Sequence, residues 1–270
     1  MRQLQAAGRL LLLLSFLSAL LLTQGCIPPK LLGPASQPYT TDEMNAILNE
    51  AMSQEDLVKT LFSTGTLTSR QGQTEQEANI SIVGQRSPFR IKIEITHPWG
   101  SDIANLLLDQ NRFTLVLFPE KRIFVGPIGK GMLKRSFPVP LDPSAVWAFV
   151  RGYPSLPEYK KAVSPGKGSI SLLNERDVTV RRLDFNPSTR EPEKCSFPAL
   201  RVTQHYEAFE KRDAVEFART VVLKEDSQER TLTLRIKHVL FNPHLPSGIF
   251  QVKKPAKFAT VDLSRKAPTH

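Results

Sequence analysis

Two cysteines and five histidines are the residues of this chain best suited to covalent or metal chemistry. For most of them the surroundings argue against it. Cys195 lies in a charged stretch between Pro192 and Pro198, with no histidine or second cysteine close by, so neither a thiol nucleophile nor a metal site is expected there. His97, His205, His238, His244 and His270 show no spacing that recurs with Asp or Glu, as metal ligands would. No serine stands in a Gly-x-Ser-x-Gly elbow. The run 126–131, GPIGKG, lacks both the Ser or Thr after its lysine and the spacing that cradles a nucleotide phosphate, and reads as a turn. Glu207 and Glu210 read as a solvated strand rim. No enzyme activity, cofactor or metal is therefore expected.

Cys26 is different. Arg2 and Arg9 precede an apolar run, 10–23, which ends in Gln24-Gly25-Cys26. A basic start, a short apolar middle and small residues at the end make a secretory signal. The run is shorter than the roughly 20 apolar residues of a membrane-spanning helix and carries Ser15 and Ser18. The Gly-Cys junction resembles the lipobox of bacterial lipoproteins, with Thr23 three residues before the cysteine where Leu is commoner. That resemblance implies cleavage before Cys26, a diacylglycerol on its thiol and an acylated amine. Several acyl chains anchor a protein stably. Ile27, rather than Asp, follows the cysteine, which in enterobacterial-type sorting favours the outer membrane.

The chain carries a formal charge of +10, and loss of Arg2 and Arg9 with the signal takes two from it. The basic residues are scattered in pairs, Lys121-Arg122, Lys134-Arg135, Lys160-Lys161, Arg181-Arg182 and Lys253-Lys254, rather than gathered in a stripe. A nucleic-acid partner is not expected from that pattern. A generally basic surface is, and it would attract anionic headgroups. With Cys26 acylated, Cys195 has no partner for an internal disulfide, so the fold must rest on its core.

The elements that would position any site follow from periodicity. Residues 26–41 hold a proline-rich tether after the lipidated cysteine. Met44, Ile47, Leu48, Ala51 and Met52 share one face of a helix over 42–59. From residue 61 the period becomes two. Segments 61–69, 78–83, 89–95, 103–108, 113–118, 122–125, 169–173, 178–185, 200–208, 215–223 and 232–239 alternate, giving about eleven strands. Short polar turns between them make neighbours antiparallel. A second helix, 143–151, opens at Asp142-Pro143-Ser144 and stops at Gly152. The expected class is mainly β with helices (α+β): an incomplete, strongly curved antiparallel barrel plugged by its helices, with an apolar interior of the kind that holds ligands. The domain plan is a signal peptide over 1–25, the tether over 26–41, the barrel over 42–263 and a tail over 264–270.

Two stretches carry a family resemblance. One runs from Phe89 to His97-Pro98-Trp99-Gly100-Ser101 and on into 103–108. The other runs from Phe137 through Pro138, Pro140, Leu141 and Pro143 to Val146-Trp147 and Gly152-Tyr153-Pro154. Together with the lipobox, the helix before the first strand and Gly65 as a strand start, they are similar to LolB, the outer-membrane receptor that accepts lipoproteins from the periplasmic carrier LolA. The resemblance covers about residues 42–240. It implies a LolA/LolB-like incomplete barrel with helices over an apolar cavity. It further implies a membrane-insertion loop, Pro98, Trp99 and Gly100, with Trp99 at the protruding position. Its partners would be outer-membrane lipids, the acyl chains of another lipoprotein and a LolA-like carrier, with the chain monomeric. The chain departs from the family in a longer second half. This contains a polar proline-rich insertion at 186–198 and extra residues after Asn242. Alternation nominates Ile80, Ile82, Ile91, Ile93, Leu106 and Leu115 as cavity lining, and Val146, Trp147 and Phe149 as its lid. The opposing expectation is an envelope structural or interaction protein whose barrel is filled by its own side chains.

Overall fold

Thr40 caps the first described helix. Its hydroxyl accepts the Glu43 amide at 3.3 Å, and the Glu43 carboxylate accepts the Thr40 amide at 2.8 Å. This reciprocal cap satisfies two donors that a helix start otherwise leaves unpaired, and helix α1 (Thr41–Asp56) follows. The structure, a computed structural model, describes residues 37–128, 142–166, 168–225 and 230–264. Cys26, most of the tether, the 137–141 segment and the end of the tail lie outside the described residues.

Among the described residues fourteen strands form one sheet. They are β1 (Thr60–Gln71), β2 (Thr74–Gln85), β3 (Arg90–Thr96), β4 (Asp102–Asp109), β5 (Arg112–Leu117), β6 (Arg122–Pro127), β7 (Lys161–Gly166), β8 (Ser169–Leu173), β9 (Thr179–Phe185), β10 (Pro192–Phe197), β11 (Val202–Arg212), β12 (Val215–Glu225), β13 (Arg230–Phe241) and β14 (Ala259–Asp262). Two meanders, β1 to β6 and β7 to β13, are joined where β1 pairs with β13. Every pairing is antiparallel except that of β14, which lies parallel to β6. Strands β14 and β7 are the two ends of the sheet order, so the sheet curls without closing.

Three strands exceed the expected set. Strand β7 contains Pro165, and β10 begins at Pro192 inside the stretch read as a polar insertion. Strand β14 has four residues. The 186–198 stretch is in fact a turn at Asn186, whose side-chain oxygen accepts the Ser188 and Thr189 amides, followed by β10, whose Cys195 and Phe197 point inward. Gly65 is likewise no strand start. It lies within β1 at the bulge where the register to β13 shifts, and a Cβ there would strike the Arg235 carbonyl.

Helix α2 (Pro143–Arg151) interrupts the meanders where expected. The Asp142 carboxylate accepts the Ser144 and Ala145 amides at 3.0 and 3.1 Å, Pro143 fits the first turn, and Gly152 ends the helix at φ +73°. Gly152 cannot be replaced cheaply, because a Cβ would lie 2.6 Å from the Ala218 carbonyl oxygen. Residues 145–151 are all buried, so α2 is surrounded rather than half-exposed. It shares one apolar core with the inward residues of both meanders and with Met44, Ile47 and Leu48 of α1.

The outward face is partly covered too. Val116 and Ile123, a pair on β5 and β6, point away from the helices yet are buried. The chain after β13 runs past this face. Phe250 sits under the Arg90 guanidinium and Phe258 packs edge-on against Phe118 at 5.7 Å.

Candidate functional site

The β3–β4 connection is built by its own residues. Pro98 fixes the first turn position, the Gly100 amide donates to the His97 carbonyl at 2.8 Å, and Gly100 takes φ +95°. The His97 amide donates to the Ser101 carbonyl at 2.8 Å and closes the hairpin. Trp99 is thereby held at the tip. It is 76% exposed, and its ring stacks on the His97 imidazole at 4.4 Å and 6° rather than turning back to the core. An exposed Trp on a rigid turn is an amphipathic ring available to the headgroup zone of a bilayer.

The strand residues nominated as lining share one face. Register places Ile82, Ile93, Leu106 and Leu115 in one row across β2 to β5. Ile80 lies in the row on one side of it and Ile91 in the row on the other. All six are buried. Val146, Trp147 and Phe149 are buried with them, and Trp147 lies against Gly84 and edge-on to Phe89 at 6.5 Å. The six share one buried face of the sheet, and α2 joins the same core, with Trp147 against Gly84.

Beside this apolar region the structure buries polar groups, Glu55 and Arg151, that the sequence did not single out. Glu55, 6% exposed, accepts the Ser155 hydroxyl at 2.8 Å and the Leu156 amide at 3.1 Å, and pairs with Arg86 at 3.2 Å. Arg151 is 1% exposed. It donates to the Gln54 carbonyl at 2.5 Å and the Glu216 carbonyl at 3.3 Å, and its guanidinium stacks over Tyr153 at 4.6 Å. Burial lowers its pKa to about 10, against the raising effect of Tyr153 and Glu55. Arg181, counted above among surface basic pairs, is buried. In each case a charged residue takes an inward strand position or the inner face of a helix, and composition carries no signal of that.

Two clefts open nearby. One of about 300 Å³ is bordered by Ile47, Glu50, Tyr153, Phe209 and Glu216. The other, of about 410 Å³, is bordered by Met52, Arg86, Leu156 and Tyr159. None of the nominated lining residues borders either, whereas Ile80 borders a third cleft, of about 320 Å³, with Thr64, Ser81 and Glu94. Among the described residues no cluster of His, Cys, Asp or Glu could hold a metal ion, and no helix is long and apolar enough to cross a membrane.

No family model matches the sequence, and no curated protein does. Solved structures do. A DUF1329 family protein from Desulfovibrio piger superposes with a TM-score of 0.52 at 11% identity, over 77% of this chain and 96% of that one. This likeness is one of fold. A LolA superfamily protein from Nitrosomonas europaea matches with a TM-score of 0.49 at 15% identity, over 77% of this chain and 97% of the other. A domain described as belonging to an outer membrane lipoprotein-sorting protein from Vibrio parahaemolyticus matches with a TM-score of 0.49 at 13% identity, over 75% and 95%. At those scores the last two add no argument.

Proposed function

We propose that this chain is a lipid-handling lipoprotein of the bacterial envelope. It would be acylated at Cys26, hold acyl chains of another lipoprotein against the inner face of its sheet, and deliver them into the outer membrane from the periplasmic side. The reading makes no use of enzyme chemistry. It treats the chain as a monomer that takes cargo from a LolA-like carrier. The observation that carries it is Trp99, a largely exposed indole at the tip of a Pro-Gly hairpin, in the loop whose sequence resembles the LolB insertion loop. Burial of acyl chain, worth about 0.8 kcal/mol per CH₂, supplies the driving force for uptake. Transfer then needs only a gradient of affinity toward the bilayer. In the present conformation the interior is occupied by α2, so Val146, Trp147 and Phe149 act as a lid that acyl chains displace.

The same packing favours a second reading. If α2 never leaves, the interior is filled and the chain is a structural or interaction lipoprotein. Depletion in the native host separates the two. Mislocalised outer-membrane lipoproteins are expected for the receptor, and unchanged localisation excludes it. Trp99→Glu tests the loop by itself. Insertion of a lipoprotein into vesicles is expected to fall by about tenfold or more, because a carboxylate replaces the interfacial ring. Unchanged insertion removes the wedge.

A further inference from the structure

Arg181 stands on the inward face of β9 and is 4% exposed. Its guanidinium lies flat over Phe197 at 3.7 Å, and its Nη2 donates to the Ser144 hydroxyl at 3.2 Å in the first turn of α2. The Nε and Nη1 atoms are buried, and no oxygen among the described residues accepts from them. No carboxylate forms an ion pair with it there either. Asp184 is engaged by Arg182 and Lys194, and the Asp142 oxygen near Ser144 accepts the Ser144 hydroxyl and two α2 amides. The neighbouring Cys195 thiol is a weak acceptor for Arg181 and no counterion, since burial pushes it up to about 11 against the Arg181 charge and hydrogen bond and leaves it neutral at physiological pH. Outside the described residues the acidic side chains are Asp226 and Glu229 alone.

A buried cation with orphaned donors is expensive unless an anion completes it, because the desolvation penalty is met only by a charge partner and hydrogen bonds. The ring of Phe197 meets part of that penalty and leaves the donors open. We infer that Arg181 is the anion-binding residue of an internal site at the start of α2 that takes the carboxylate or phosphate group of an anionic amphiphile. The inference rests on the lipid-handling reading for the apolar part of the ligand. It adds an anionic amphiphile to the ligands of that reading, beside the neutral acyl chains of a lipoprotein, since an anionic head answers the charge of Arg181. The site adjoins Ser144 and Phe197, so a head held there leaves its chain to run along α2 toward Trp147.

The test uses the full chain in phosphatidylcholine nanodiscs with a diazirine-bearing palmitic acid and its methyl ester. Photolabelling is read on the 142–151 and 179–185 peptides by mass spectrometry. The acid is expected to label these peptides about tenfold more than the ester, the ratio that one charge-assisted hydrogen bond supplies. Arg181→Met, which keeps the volume, is expected to bring the acid down to the ester. A second arm measures thermal unfolding in inorganic phosphate against chloride at equal ionic strength. A rise with phosphate that Arg181→Met abolishes supports the anion site with a free anion as its source, and without internal labelling it removes the lipid-handling reading. Equal labelling by acid and ester, with no phosphate effect, overturns the Arg181 site and leaves acyl binding standing. No labelling and no phosphate effect overturns both. Arg181→Met is expected to fold, because replacing an unpaired buried charge by an apolar side chain of similar size is neutral or stabilising.

Discussion

Cys195 shows what a single buried group does to stability. Burial raises its pKa to about 11, above the 9.0 of an exposed thiol, and Arg181 opposes the rise. Above pH 9 the unfolded chain releases this proton while the folded chain keeps it. Stability is then fully present below pH 9 and is lost as pH climbs toward 11, by on the order of 2 kcal/mol for this group. Tyr153 and Tyr206, also raised by burial, begin to contribute only above pH 10. Melting temperatures measured from pH 8 to 10 should therefore fall in the native chain and fall distinctly less in Cys195→Ala. Equal slopes would mean that the thiol is not shut away from water. At this scale the sequence was legible where side-chain chemistry and local geometry agree. Pro98 and Gly100 announced a turn, and one is present; that Trp99 stands out from its tip was implied by the LolB resemblance and not by those two residues. Glu55, Arg151 and Arg181 were not legible. A charged residue at an inward position reads as surface until the carbonyls, hydroxyl and aromatic faces that receive it are known, and those come from segments as far apart as Gln54 and Glu216.

At the scale of elements, the seat of α2 is set by a residue with no side chain. Gly84 faces inward opposite Leu61, and a Cβ built on it would come within 2.9 Å of Trp147 and 3.0 Å of Leu61. Gly84→Ala should destabilise the fold by about 1–3 kcal/mol in a urea titration, the usual result of overpacking. If α2 is a lid, the same change should speed uptake of a fluorescent fatty acid, because it stabilises the displaced helix relative to the seated one. Slower or unchanged uptake with the expected loss of stability would favour the filled interior. Helices α1 and α2 and eleven strands could be read from periodicity, since each has enough residues to show its pattern and chemically apt ends. Strands β7, β10 and β14 could not. Pro165 lies within the first and Pro192 opens the second, and prolines mark loops far more often than strands. Strand β14 is too short for alternation to register, and it exists because β6 offers it an edge. The packing of α2 against the inner face was legible in outline, from Trp147 and Phe149 on a short apolar helix. The glycine that admits it was not, because a lone glycine in a strand gives no direction.

For the whole molecule, the open sheet poses a question of edges. An unpaired edge strand offers its amides and carbonyls to any other chain. At one end β14 covers β6 over four residues, from Ala259 against Arg122 to Asp262 against Val125. The segment that leads to it also passes the outward face where Val116 and Ile123 are buried, with Phe250 and Phe258 as its contacts. Asn242 starts this strap. Its side chain accepts the Lys59 amide at 2.7 Å and donates to the Leu57 carbonyl at 2.7 Å, tying the end of β13 to the start of β1. The strap therefore does two things that the core cannot do for itself: it pairs an edge and covers an apolar outer patch. A chain ending after Asn242 keeps both helices and strands β1 to β13, so its core should still form. It should nevertheless associate with itself, because β6 becomes an edge and Val116, Phe118 and Ile123 lose their cover. Light scattering should show dimers or larger species where the native chain shows none, and restoring residues 243–264 should abolish them. If the shortened chain stays monomeric and binds no more of an apolar dye than the native chain, the strap has no protective role and its contacts are incidental to the fold.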